Sequence, residues 1–167
     1  MNGMPRIIAL SLLLVSALAP LAWAEPPEHY PFVGYDQGLQ QARQQNRSIF
    51  LYFGRYGCGY CGKTNIETFS DKSLRELYIK NYVLVYVDAE SGERLTLPDG
   101  EVITEAELGI RLNVFATPLF AYLDPNGKLV FQAPGFKTVK EFKQFDAYVQ
   151  GKHYQKQTIN EFLKSSS

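Results

Sequence analysis

Cys58 and Cys61 are the only thiols in the 167-residue sequence, and Gly59 and Tyr60 stand between them. A thiol attacks as its thiolate. Free cysteine ionises near pH ~8.5, and a helix N-terminus lowers that value by one to several units. Two thiols at this spacing can close to a disulfide and reopen by exchange with another disulfide. As a staple the pair encloses too short a loop to stabilise a fold appreciably. A zinc site needs about four ligands. Only His29 and His153 could join the cysteines, and neither has zinc-finger spacing, so both read as surface residues. A permanently closed, inert disulfide is the other bland alternative.

The elements around the pair decide between these. Ser48 to Phe53 (SIFLYF) is a run of β-formers and predicts a central strand. Gly54 to Gly57 breaks it, and a helix is predicted from about Gly59 to Thr68. This order puts Cys58 at the positive end of a helix dipole, where unpaired backbone N–H groups face its sulfur. Cys61 lies one turn further in and is expected to be less exposed. Cys58 is then the attacking thiolate, and Cys61 resolves the mixed disulfide. A C-x-x-C between a buried strand and a helix is a far more specific signal than the spacing alone.

The rest of the chain supplies a frame for this unit. Tyr35 to Arg47 predicts a helix with Leu39 and Ala42 on one face. Ser70 or Asp71 caps another, running to about Asn81, and Tyr82 to Asp88 (YVLVYVD) predicts a second buried strand. Arg94 to Leu97 and Glu101 to Ile103 flank Pro98-Asp99-Gly100 and read as a small hairpin. Thr104 with Glu107 forms a capping box for a helix to about Leu112. Leu119 to Leu123 and Lys128 to Gln132 read as an antiparallel pair around the turn Asp124-Pro125-Asn126-Gly127. Thr138 to Gln150 is amphipathic, and Thr158 with Glu161 caps a short final helix. Glu25 to Gly34, rich in proline and aromatics, reads as an extended lead-in. The order predicts an α/β domain whose mixed sheet is covered by helices on both faces. Ala116-Thr117-Pro118 leads directly into a strand, a position where proline's missing donor costs little.

Hydrophobic residues make up 46% of the sequence and charged residues 20%, a globular rather than disordered composition. Eleven Tyr and eleven Phe predict an aromatic core, and no basic stretch suits nucleic acid. Met1 to Arg6 carries one positive charge, Ile7 to Ala19 is apolar, Pro20 breaks the run, and Ala22-Trp23-Ala24 offers a cleavage site. Residues 1–24 therefore read as a secretory signal peptide, removed after Ala24. Its loss takes away Arg6 and no acid, shifting the formal charge from zero to about −1. The apolar run is short for a bilayer span of about 20 residues. Export to the periplasm would place both cysteines where disulfides form.

From about Tyr35 to Val149 the chain resembles the thioredoxin superfamily. The resemblance rests on the strand SIFLYF, the Cys58-Gly59-Tyr60-Cys61 pair, the run Lys63 to Asp71 (KTNIETFSD), the strand ending at Asp88, and Ala116-Thr117-Pro118 before a strand. It is similar to exported thioredoxins of the SoxW type, associated with bacterial sulfur oxidation. Those also carry an insertion before the proline segment, like Ala89 to Ile103, and a C-terminal helical tail, like Tyr154 to Lys164.

The resemblance implies a thioredoxin-like domain over 35–167 with the hairpin as an insertion. It implies a cis Thr117–Pro118 bond facing the cysteines, and a Thr117 backbone that pairs with a substrate peptide. No cofactor is expected beyond the redox-active disulfide. The implied partners are disulfide-bearing proteins and a membrane electron donor that keeps the pair reduced. The chain departs from thioredoxins at three positions: Gly57 stands where Trp usually precedes the first Cys, Tyr60 stands in place of Pro, and Tyr52 occupies the site of a buried Asp. Gly-Tyr between the cysteines and Thr before the proline also occur in periplasmic disulfide isomerases. Those are dimers built through an additional N-terminal domain, so a monomeric reductase is the expectation here, with an isomerase or oxidase, or a redox-inert binding module, as rivals.

Overall fold

The computed structural model describes residues 26–165; the segment read as a signal peptide lies outside them. Helix α1 spans Tyr35–Gln45 and strand β1 spans Ser48–Gly54. Helices α2 (Gly59–Glu67) and α3 (Lys72–Asn81) lead to β2 (Tyr82–Asp88). The hairpin β3 (Arg94–Thr96) and β4 (Val102–Thr104) precedes α4 (Glu105–Arg111). Strands β5 (Leu119–Leu123) and β6 (Leu129–Pro134), then α5 (Val139–Gln150), a 3-10 turn (His153–Gln155) and α6 (Ile159–Ser165), complete the chain.

The main sheet has the order β2-β1-β5-β6. β1 and β2 are parallel, and β5 runs antiparallel to both β1 and β6. The fold is thioredoxin-like: a mixed central sheet flanked by helices, with a C-terminal helix. Side chains alternate across the strands. Phe50, Tyr52, Leu84, Phe120 and Tyr122 face one core, which Leu74 and Tyr78 of α3 and Phe142 and Phe145 of α5 complete. Ile49, Leu51, Phe53, Val83, Val85 and Ala121 face the other, against Leu39 and Ala42 of α1.

The first core is largely aromatic. Phe50 lies at its centre, edge-on to Tyr78 at 4.9 Å and stacked with Phe120 at 5.8 Å. Fully burying one such ring is worth about 1.5–3 kcal/mol. Phenol groups at this depth need partners: the Tyr78 and Tyr122 hydroxyls lie 2.7 Å apart, and Tyr78 also donates to the Phe142 carbonyl at 2.8 Å.

The helix starts follow the local chemistry of their caps. Asp71 Oδ1 accepts from the Leu74 N–H at 2.8 Å, and Thr104 and Thr138 each form a reciprocal capping box with the Glu three residues on. Thr158 and Glu161 exchange the same bonds before α6. The hairpin turns Leu95 and Ile103 into the second core with Leu108 of α4, and the Thr96 N–H donates to Asp36 Oδ1 at 2.6 Å.

The segment before α1 is more than a lead-in. Val33 pairs in parallel with Val85, so the outer edge of β2 carries a one-residue extension of the sheet. Tyr30 and Phe32 pack into the aromatic core, with Tyr30 edge-on to Phe69 at 5.3 Å. Gly38 of α1 crosses β2 so closely that a Cβ there would overlap Val85 Cγ2.

Candidate active site

Ligand sites in open α/β sheets collect beyond the carboxyl ends of the parallel strands. Here β1 and β2 end together, Gly54 opposite Asp88. Leu119, the first residue of β5, pairs with Phe53 on one side and with Pro134 on the other. Register alone therefore brings three loops to one edge: Arg55 to Cys58, the approach through Thr117-Pro118, and the turn after Pro134. Gly57, at φ +68°, is the residue that turns the first loop into α2.

Cys58 is the N-cap of α2, and its sulfur accepts the Cys61 N–H at 3.1 Å. The same N–H also donates to the Cys58 carbonyl at 3.0 Å, so the first turn of the helix shares this donor between that carbonyl and the atom that would carry charge after reduction. The two sulfurs are bonded to each other, with Cα atoms 5.2 Å apart. Cys58 is 8% exposed and Cys61 1%, so the first thiol is the one nearer solvent. Gly59 has open space where a Cβ would stand, and Tyr60 is exposed beside it. Thr64 anchors the first turn by donating to the Tyr60 carbonyl at 2.8 Å.

The Thr117–Pro118 peptide bond is cis; Pro118 is buried and Thr117 half-buried at the head of β5. The Pro118 carbonyl accepts the Gly135 N–H at 2.7 Å. Arg55, in the loop before Cys58, pairs with Glu90 at 3.3 Å and so meets the start of the segment after β2. Tyr52 lies in the middle of β1, in the core that also contains Cys61, and its hydroxyl donates to Asn65 Oδ1 at 3.2 Å. Burial pushes its phenol far above the ordinary range. Asn65 escaped the sequence reading, because nothing in its local spacing marks it; only the contact with Tyr52 does. Phe136 and Lys137 were also missed, although Gly135 at a strand end is a turn signal.

Among the described residues, no group of three or more His, Cys, Asp or Glu is placed to hold a metal ion. His29 is exposed, and His153 lies against the Phe162 ring at 4.6 Å. Among the described residues, no helix is long and apolar enough to cross a membrane. A close cysteine pair capping a helix at a sheet edge is consistent with thiol–disulfide exchange.

Known proteins share this fold. The chain is 32% identical over 82 residues to an uncharacterised protein of Archaeoglobus fulgidus, a match covering 47% of this chain and 65% of that one. The chain thus spans about two thirds of the length of the curated relative it matches. Among solved structures it is similar to a thioredoxin-fold protein from Helicobacter pylori, with a TM-score of 0.61 and 22% identity over 73% of this chain and 80% of that one. A thioredoxin from Thermus thermophilus superposes with a TM-score of 0.60 and 24% identity, covering 72% and 86%. The DsbH oxidoreductase gives 0.57 and 15% identity, covering 81% and 92%. At these identities the structural likenesses establish the fold. The family model for the thioredoxin-like domain matches residues 35–150, which include both cysteines and the Thr117-Pro118 segment, and the chain belongs to that family.

Proposed function

We propose that this protein is a periplasmic thiol:disulfide oxidoreductase that reduces disulfides of partner proteins through Cys58 and Cys61. The observation that carries the reading is the position of Cys58 as the N-cap of α2, with the Cys61 N–H directed at its sulfur. In the reduced protein the Cys58 thiolate attacks a sulfur of the partner's disulfide. A mixed disulfide forms and one partner thiolate leaves. Cys61 then loses its proton and attacks Cys58, the Cys58–Cys61 bond closes, and the second partner thiolate leaves. The partner gains two electrons and its thiolates take up two protons. A thiol donor reverses the change in the pair; a membrane electron-donor protein fits that role for an exported protein. Thr117 offers a backbone edge on which an extended partner segment can pair. Likeness to the SoxW type directs the choice of clients to sulfur-oxidation or cytochrome-maturation proteins. The protein acts as a monomer, and residues 1–24 direct export.

The experiment is a trap. Cys61→Ser removes the fast intramolecular exit from the mixed disulfide, so the variant expressed in its own host carries covalent adducts that disappear on reduction. Cys58→Ser carries few or none. Their masses identify the clients. Equal trapping by both variants would overturn the division of roles. No trapping by either, in cells where the wild-type pair is reduced, would favour a redox-inert binding module. Gly59-Tyr60 together with Thr117, shared with disulfide isomerases, favours a second reading as isomerase or oxidase. The reduction potential separates them: about −270 mV marks a reductant of the thioredoxin type and about −120 mV a strong oxidant.

A further inference from the structure

The three residues that follow β6 join two parts of the site that are far apart in the chain. Gly135, at φ +76°, turns the chain out of the strand, and its N–H holds the Pro118 carbonyl at 2.7 Å. Phe136 lays its ring against α2, where Lys63 Nζ lies 4.8 Å from the ring centroid. That separation is within the range of a cation–π contact. The Lys137 carbonyl accepts the Thr68 hydroxyl at 2.7 Å, at the C-cap of α2. Lys137 Nζ turns back onto the Pro134 and Phe136 carbonyls at 2.5 and 3.2 Å, closing the segment on itself. One end of this strap grips the Pro118 segment. The other grips α2 two residues beyond Cys61 and again where the helix stops.

Resting on the redox reading above, we propose that residues 135–137 are a positioning strap that sets the spacing between the Pro118 segment and Cys58, with the Phe136–Lys63 contact as its adjustable point. A protein substrate must meet two constraints together: its backbone lies along the Thr117 edge while its sulfur reaches Cys58. A small disulfide meets only the second. Small errors in mutual placement weigh heavily on a reaction that needs both parts aligned. The strap therefore governs how well the enzyme uses protein disulfides and has little bearing on the intrinsic reactivity of Cys58. Phe136 and Lys63 are positioning residues in this account; neither touches the reacting sulfurs.

The test compares insulin reduction with reduction of oxidised glutathione by the full mature protein. Phe136→Leu removes the ring face, and Phe136→Tyr keeps it. Lys63→Met removes the cation from the other side, and the pH profile of Cys58 alkylation is recorded for it so that any loss of charge near the thiol is seen directly. Phe136→Leu and Lys63→Met should each lower kcat/KM for insulin about two- to fivefold, the size of one such contact. Phe136→Tyr should stay near wild type, and the double variant should be no worse than either single one. Rates with oxidised glutathione and the Cys58 profile should be unchanged throughout. Equal losses on both disulfides, additive effects in the double variant, or a Tyr variant as poor as Leu would overturn the strap. A wild-type protein that reduces neither disulfide would overturn the redox reading itself, and the strap with it.

Discussion

The Tyr52 hydroxyl, in the middle of the central strand, donates to Asn65 Oδ1 at 3.2 Å, on the helix that carries Cys61 one turn earlier. Tyr52 occupies the position where thioredoxins usually have a buried Asp. A carboxylate there can change charge during the reaction. A phenol held far above its ordinary range by burial stays neutral and acts as a fixed donor. Tyr52→Phe keeps the ring packing and deletes the one hydrogen bond. Urea unfolding of the oxidised protein should show a loss of about 1 kcal/mol. The pH profile of Cys58 alkylation should keep its shape, because no titrating group has been removed. A profile displaced by a full pH unit would mean that Tyr52 handles a proton.

Cys58 should be the thiol that reacts first. In the reduced protein it retains the helix N-terminus, whereas Cys61 sits 1% exposed behind it. Timed alkylation near neutral pH, read by peptide mass, should label Cys58 at least about tenfold faster. Faster labelling of Cys61 would reverse the assignment of attacking and resolving thiols.

Gly38→Ala should damage the fold without touching the site. A methyl at this position overlaps the Val85 side chain of β2, and either that buried, β-branched side chain or α1 itself has to shift to admit it. Overpacking of this kind costs about 1–3 kcal/mol. A thermal unfolding scan should show a lower Tm, against the gain that Gly→Ala ordinarily brings inside a helix. A rise in Tm would mean that α1 does not pack this closely on the sheet.

Asp146 of α5 is 7% exposed and accepts the Asn81 side-chain N–H at 2.9 Å. Burial pushes its carboxyl above the ordinary carboxylate value. A raised value means that the native state holds the proton more tightly than the unfolded chain. The associated stability is fully present below the ordinary carboxylate range and is lost as pH rises through the raised value. Asp146→Asn keeps an oxygen for Asn81 and removes the ionisation. Urea unfolding should therefore find the variant more stable than wild type near pH ~7, with the gap shrinking at about pH 3.5. A gap that is constant across this range would show that Asp146 ionises normally in the folded protein.

Much of the chain obeys rules that act over a few residues. The strand Tyr82–Asp88 was legible from its unbroken β-forming run, the helices after Asp71, Thr104 and Thr158 from the caps that precede them, and the helix after Thr138 from its amphipathic pattern. Strand, glycine-rich loop and helix in that order were enough to put Cys58 at a helix start with Cys61 behind it. Each of these depends on a side chain bonding to backbone within about one turn, or on apolar periodicity, and both are written in the local sequence. Strand register is different, because it is chosen by the packing of whole faces. That choice set Leu119 beside Phe53 and Pro134, and so brought the Pro118 segment and the turn after β6 to the end of the sheet where the cysteines stand. It likewise drew Tyr30, Phe32 and Val33 into the fold from a stretch that reads locally as a plain extended lead-in. The bonds from Tyr52 to Asn65, from Gly135 to Pro118 and from Thr68 to Lys137 depend on it as well. The last of these spans 69 positions; no local signal encodes a pairing at that separation, and only the burial of two aromatic and aliphatic faces in one sheet brings such residues together.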